Sequence, residues 1–145
     1  MVTIRRAELG DIEAVLVLAN THGVFDSPLS EADLQITRAF PDGFIIAEHQ
    51  GTLAGVAIGY IKDVPSVVLA NWNASMVGQV ELLVVNPHFR RHGIGRMLME
   101  HLLNTFSING VDMVTLYCPA EAIDAKSIYD RIGFTTRAYA MWKRL

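Results

Sequence analysis

The stretch that decides the fold is VVNPHFRRHGIGRML, residues 84–98. It places Arg90, Arg91 and Arg96, with Gly93 and Gly95, between an apolar run and an amphipathic one. Residues 79–85 (QVELLVV) are β-branched and aliphatic enough for a strand, and Asn86-Pro87 turns the chain. From Gly93 the pattern changes to helical spacing. Ile94, Met97, Leu98, Leu102 and Phe106 fall on one face of a helix over residues 93–109, and Gly110 supplies its stop. A further strand at 111–117 completes a strand-helix-strand unit across 79–117. Such a unit implies a parallel pair with a right-handed crossover.

Working outward, residues 2–5 read as a first strand. Asp11 is placed to cap a helix whose Ile12, Val15, Leu16 and Ala19 share a face. Residues 22–28 read as a loop. Ser30 with Asp33 forms a capping-box pattern ahead of a short helix at 34–40, and Pro41-Asp42-Gly43 reads as a turn. Residues 44–48 and 53–61 pair as a hairpin through Gln50-Gly51. Residues 64–75, with Pro65, Trp72 and two asparagines, read as a long apolar loop or ragged strand. Past residue 117, Ala125, Ile128, Tyr129 and Ile132 mark a helix closed by Gly133, and residues 134–144 read as a final strand. The order is β-α-α-β-β-β-α-β-α-β, a mixed α/β layer.

The 145 residues fit one domain spanning 1–145. With 51% hydrophobic and 19% charged residues the composition is that of a folded chain, not a disordered one. A net charge of -3 argues against broad affinity for nucleic acid or acidic membranes, so an anion must be held by a local cluster. The single cysteine, Cys118, excludes an internal disulfide. The first residues lack the apolar stretch of a signal peptide, and no apolar run approaches the ~20 residues of a membrane span. The expectation is a cytoplasmic protein.

The junction at 86–96 suits one kind of ligand. The first turn of a helix carries unpaired N–H groups and about half a positive charge. Gly93 and Gly95 remove side chains, so a phosphate can approach that backbone, and Arg90, Arg91, His92 and Arg96 add charge-assisted donors. Dinucleotide and nucleoside-triphosphate loops fit poorly. Leu98 stands where G-x-G-x-x-G needs its third glycine, seven residues separate the strand from Gly93, Asp112 opens the next strand instead of closing it, and no G-K-S or G-K-T follows. His88 and His92 have H-x-x-x-H spacing but lie ahead of the helix with no third ligand, so no metal is assigned. Cys118 reads as a small buried hydrophobe.

Arg90-Arg91-His92-Gly93-Ile94-Gly95 resembles R/Q-x-x-G-x-G/A, the pyrophosphate motif of the GNAT superfamily of acyl-CoA-dependent N-acetyltransferases. IRRAELGDIEAVLVL resembles that family's opening strand and helix, VELLVVNPHFR its fourth strand, AKSIYDRIGF its A-x-x-x-Y-x-x-x-G-F signature and MWKRL its last strand. The resemblance implies a single-domain mixed sheet of about six to seven strands flanked by about four helices, with a bulge in the fourth strand and a V-shaped splay between the fourth and fifth. It implies that main-chain groups from Leu83 through Val84 to Val85 hold the pantetheine arm of acetyl-CoA. Arg90, Arg91, His92, Gly93, Ile94, Gly95 and Arg96 would hold its pyrophosphate.

Tyr129 matches the tyrosine that faces the CoA sulfur as general acid, and a phenol with an unperturbed pKa near 10 can donate at neutral pH. Glu81 matches a position that in some members binds or deprotonates the incoming amine. Strand alternation puts it on one face with Leu83 and Val85. Phe25 and Trp72 fall in loops that wall the acceptor site. The function implied is acetyl (or other short acyl) transfer from acyl-CoA to a primary amine of a small molecule or peptide. One departure stands out: Ala122 replaces an asparagine seven residues before the tyrosine, which keeps open a catalytically silent acyl-CoA-binding or regulatory module. The last strand, with Tyr139 and Trp142, offers an edge for pairing and hence a possible homodimer.

Overall fold

A computed structural model describes residues 1–145. In chain order the elements are β1 (Thr3–Arg6), α1 (Ile12–His22), a 3-10 helix (Glu31–Arg38), β2 (Phe44–His49), β3 (Thr52–Lys62), α2 (Ser66–Trp72), β4 (Val77–Val85), α3 (Ile94–Ile108), β5 (Met113–Leu116) and α4 (Ile123–Arg131). The strands form one sheet in the order β1-β2-β3-β4-β5. The first four are mutually antiparallel, and β5 joins β4 in parallel through the α3 crossover. No helix is long and apolar enough to cross a membrane.

Alternation along the strands builds two cores. Phe44, Ile46, Val56, Ile58, Leu82 and Val84 face α1 and the 3-10 helix through Val15, Leu18, Ala19 and Leu34. Ile45, Ala47, Ala57 and Val80 face α3 through Ile94, Leu98, Met99, Leu102 and Phe106. β2 is therefore apolar on both faces, as its unbroken Phe44-Ile45-Ile46-Ala47 run requires. The β2–β3 connection places Gln50 at φ 50° and Gly51 at φ 79°, the left-handed pair that a two-residue hairpin needs.

Several expectations are corrected. The sheet has five strands, not six to seven. Residues 134–144 are not a strand: beyond the Phe134 N–H no backbone group of that segment bonds the rest of the chain, and a strand exists only through its ladder. Residues 64–75 contain α2. The β-branched Val67 and Val68 suggest extension, but the Pro65 carbonyl accepts from both the Val68 and Leu69 N–H, and Asn73, at φ 53°, caps the end in the left-handed region. The helix expected at 34–40 is the 3-10 helix, entered where Asp33 accepts the Ser30 N–H at 2.7 Å.

In α3 the buried methionine is Met99, while Met97 is 38% exposed, so the inner stripe lies slightly round from the expected one. Asp11 does not cap α1 with its side chain. Its carboxylate takes the Arg5 guanidinium at 2.8 and 3.0 Å and the Glu8 N–H at 2.7 Å, and that ion pair, with the backbone bond, holds it below the usual carboxylate range.

Two glycines let α3 lie close to the sheet. A Cβ on Gly59 or Gly78 would meet the Phe106 ring at 2.6 or 2.8 Å, and Phe106 is itself stacked on Phe40 at 5.6 Å. Gly78→Ala should therefore cost about 1–3 kcal/mol through overpacking and lower the melting temperature by roughly 3–12 °C. An unchanged melting curve would show that Phe106 does not rest on this glycine.

Candidate functional site

The β4–β5 ladder covers only four positions, Val77↔Met113 to Val80↔Leu116, whereas β4 runs on to Val85. From Glu81 onward the two strands diverge. On its other edge β4 stays paired to β3, but the register breaks: Val80 opposes Gly59 and Leu82 opposes Ile58, which leaves Glu81 as an extra residue, a β-bulge. The closed end of the V is fastened. Asp112 accepts the Ser75 and Met76 N–H groups at 3.0 and 3.1 Å, and these bonds hold its carboxylate below the usual range. The buried Gln79 is bonded across the ladder by the Thr115 hydroxyl.

Backbone parity shows what lines the opening. The Asn86 N–H donates to the Ala54 carbonyl at 2.8 Å, so even-numbered residues beyond the bulge turn their backbone groups toward β3. Those of Leu83 and Val85 turn the other way, into the V, where no ladder meets them. Their side chains pack on the α3 face, and the Val84 side chain on the α1 face.

The mouth of the V is the 86–96 junction. Asn86 turns the chain by accepting the His88 N–H and donating to the Leu53 carbonyl. Arg91, at φ 67°, and Gly93, at φ 73°, then fold the backbone into a concavity. None of the N–H groups from Arg91 to Arg96 finds an acceptor in the chain. The first helical bond is the Met97 N–H to the Gly93 carbonyl, at 3.0 Å. Successive amides in a left-handed turn at a helix start make an anion-binding nest.

The two glycines differ in their surroundings. Gly93 has open space around its Cβ position and is required by its φ. At Gly95 a Cβ would meet the Ile128 side chain at 2.7 Å, so this glycine seats α3 against α4. Ile94 is 1% exposed and anchors the turn. Of the basic side chains, Arg90 lies 3.7 Å from Asp124 and Arg96 is bonded to Glu100 at 2.8 Å, while Arg91 and His92 are exposed and form no ion pair.

Tyr129 is buried in the α3-side core with Val80, Ile94 and Leu98, and Leu83, Val85, Leu116 and Cys118 pack against that cluster. Phe134 meets its ring edge-on at 5.9 Å. No side-chain oxygen is sealed in the interior without a partner, and the Tyr129 hydroxyl bonds nothing in the chain, so its oxygen remains reachable. Burial, reinforced by the Cys118 thiol, pushes its pKa up to about 12. Burial also raises Cys118, which is half-buried.

Glu81 is exposed at the bulge. Near it on β3 is a tyrosine that spacing did not reveal. Tyr60, opposite Gln79 on β3, is raised by burial and then by the charges of Glu81 and Tyr117. Tyr117 follows the last ladder residue of β5 and lies under the Lys62 ammonium at 5.9 Å. Only the β3–β4 register and the end of the β5 ladder bring these groups together.

Phe25 is folded back on Gly23 at the end of α1, and Trp72 lies beside β5 under Arg137 at 4.9 Å. Ala122 precedes α4 with no side-chain cap. Asp124, in the first turn, makes no capping bond and instead meets Arg90.

This geometry agrees with a family model. Residues 11–134 match the Acetyltransferase (GNAT) family. The chain belongs to the GNAT acetyltransferases. Among curated relatives, the mycothiol acetyltransferase of Catenulispora acidiphila is 31% identical over 98 residues, 68% of this chain and 30% of that protein. The chain spans about a third of the length of the curated relatives it matches. Among solved structures, Ard1 from Thermoplasma volcanium superposes with a TM-score of 0.79 at 25% identity, over 94% of this chain and 84% of that one. Arabidopsis thaliana Naa50, in complex with a bisubstrate analogue of CoA, an acetyl group and the peptide MVNAL, superposes with a TM-score of 0.76 at 17% identity, over 94% and 85%. The GNAT fold, with its parted fourth and fifth strands, is thus the fold of this chain.

The raised Tyr129 pKa has a consequence for stability. The phenol stays neutral in the folded state up to about pH 12 but ionises near pH 10 once unfolded. Its contribution is complete below pH 10 and is lost as pH rises toward 12, by roughly 2–3 kcal/mol in all. Urea unfolding followed from pH 9 to 12 should show this decline in the wild type and a shallower one in Tyr129→Phe. Parallel curves would show that folding leaves the phenol's ionisation unperturbed.

Proposed function

We propose that this GNAT domain transfers an acetyl or other short acyl group from acyl-CoA to a primary amine of a small molecule or peptide, within a ternary complex. One observation carries the reading. The free amides of 91–96 and the unpaired backbone of Leu83 and Val85 form a continuous track of donors and acceptors from the mouth of the V toward Tyr129 and Glu81. A diphosphate fits the first part of that track, and an extended, amide-bearing arm fits the second as an added strand would. Both parts belong to CoA. The mycothiol acetyltransferase relative and the CoA-peptide analogue bound to Naa50 support the same chemistry.

In the reaction the amine nitrogen attacks the thioester carbonyl carbon, the carbon–sulfur bond breaks, and the acylated amine and free CoA thiol leave. One proton departs from the nitrogen and one arrives at sulfur. Tyr129, held neutral by burial, keeps a hydrogen-bond donor in place for the developing thiolate and supplies its proton, which solvent restores. Glu81, exposed at the bulge near Tyr60, receives the amine and takes its proton directly or through water. An exposed carboxylate suits a cationic amine.

A silent acyl-CoA-binding module is the second reading, favoured by Ala122, which leaves the start of α4 without a side-chain cap. Thiol release from acetyl-CoA across a panel of amines separates the two, because tight CoA binding without release for any amine would select the silent module. Given a working acceptor, Tyr129→Phe should reduce kcat about 100-fold or more and leave CoA affinity within about twofold; full turnover in this variant would remove the acid role. Glu81→Gln should depress kcat/KM most at low pH, where little amine is unprotonated. A pH profile of unaltered shape would reduce Glu81 to a bystander.

A further inference from the structure

One buried side chain of the sheet is only half satisfied. Gln79 is 3% exposed, and its amide oxygen accepts from the Thr115 hydroxyl, but its amide nitrogen bonds nothing in the chain. No side-chain nitrogen is sealed in the interior without a partner, so this NH₂ group opens at the surface of the sheet. A donor so nearly stripped of water gains most from an oxygen that a ligand brings. Backbone alternation fixes where it opens. Val80 belongs to the α3-side core and a Cβ on Gly78 would meet Phe106, so Gln79 between them turns to the opposite face. On β3, Gly59 and Ile61 face α3 in the same way, which leaves Tyr60 and Lys62 on the face with Gln79. Tyr60, Gln79 and Thr115 form one row across β3, β4 and β5, one row short of the last ladder pair before the gap.

Two opposite charges border that row without neutralising each other. Glu81, two residues beyond Gln79 at the bulge, has its charge within reach of Tyr60. Lys62, two residues past Tyr60, lies over the Tyr117 ring at 5.9 Å. Neither forms an ion pair in the chain. A ligand that matches all three groups offers a cation to Glu81 and an anionic oxygen to Gln79 and Lys62. Residues two apart on a strand stand about 7 Å from one another. An amine and a carboxylate separated by one or two carbons, with a hydrogen bond at each end, span that interval.

We propose that the acyl acceptor is a free amino acid, its amine at Glu81 and its carboxylate held by the Gln79 amide N–H and the Lys62 ammonium. The proposal rests on the acyl-transfer reading and names the acceptor for it, with Gln79 and Lys62 as the residues that select a carboxylate. A peptide N-terminus fits less well, because its carbonyl would serve Gln79 but leave Lys62 without an anion.

Binding and turnover are measured separately. The full chain, saturated with CoA, is titrated by calorimetry with the common α-amino acids and β-alanine, each beside its carboxamide and its decarboxylated amine. At least one amino acid should bind about tenfold more tightly than its carboxamide. Lys62→Met should bring that amino acid down to the level of its carboxamide and leave the carboxamide unchanged. Gln79→Met, of similar volume, should weaken both about tenfold and leave the decarboxylated amine within about twofold. Lys62 is not buried, so its variant keeps the test decisive even where Gln79→Met fails to fold. Selective amino-acid binding with no thiol release from acetyl-CoA supports the carboxylate site and removes the transfer reading. Carboxamides, bare amines or peptides that bind as well as amino acids overturn the proposal, as does a Lys62→Met that weakens acid and carboxamide alike. Failure of every amino acid to bind overturns it too, even where thiol release with another amine upholds acyl transfer.

Discussion

A parallel ladder that stops after four residues leaves a strand half paired, and the rest of this molecule is arranged around that fact. β4 is paired on both sides as far as Val80 and, past the bulged Glu81, only to β3 from Leu82 to Val85. Backbone groups left without a partner cost free energy when buried, so such an arrangement persists only where the rest of the fold holds the strands apart. Here the hold comes from both ends. Asp112 on the Ser75 and Met76 amides and the Thr115–Gln79 bond clamp the closed end. At the open end α4 packs on α3 through Gly95 and Ile128, and the Tyr129 ring is set in the core under the gap.

The two halves of the site follow from two different local devices. The nest of 91–96 is a short-range product: left-handed Arg91 and Gly93 turn successive amides one way, and the buried Ile94 fixes the helix that follows. The Glu81 environment is a long-range product. A single extra residue on β4 puts the carboxylate at the gap, and β3 brings Tyr60 within reach of its charge. The acid and the carboxylate also sit in contrasting surroundings. Tyr129 is buried and kept neutral, while Glu81 is open to solvent, a contrast that suits the acid and amine-receiving roles proposed for them.

Much of this was legible along the chain, and what was lost was lost for identifiable reasons. The α3 helix, the β2–β3 hairpin and the crossover unit follow from periodicity and from Gly and Asn punctuation. These signals are local and strong. Residues 64–75 misled because Val67 and Val68 speak for extension, while the helix is decided by its ends, Pro65 and Asn73. Gly95 has a packing role as well, which its own neighbours in sequence do not reveal, because its contact is with Ile128, 33 positions later. Trp72 was read as a loop residue and is the last residue of α2, stacked under Arg137, a placement that its own neighbours in sequence do not reveal.

The order of the amino acids by itself determined the strand-helix-strand unit, the basic glycine-bearing turn at its centre, and the presence of Tyr129 and Glu81 at positions matching an acyltransferase. These rest on interactions within a few residues, where spacing and side-chain type are enough. Tertiary structure alone decided where the β4–β5 ladder ends, that Gly95 also seats α3 against α4, that Tyr60 feels the charges of Glu81 and Tyr117, and that residues 135–145 make no backbone hydrogen bond within the chain. Each of these depends on register between segments that meet only after folding, and a one-residue slip in that register would reassign every face involved.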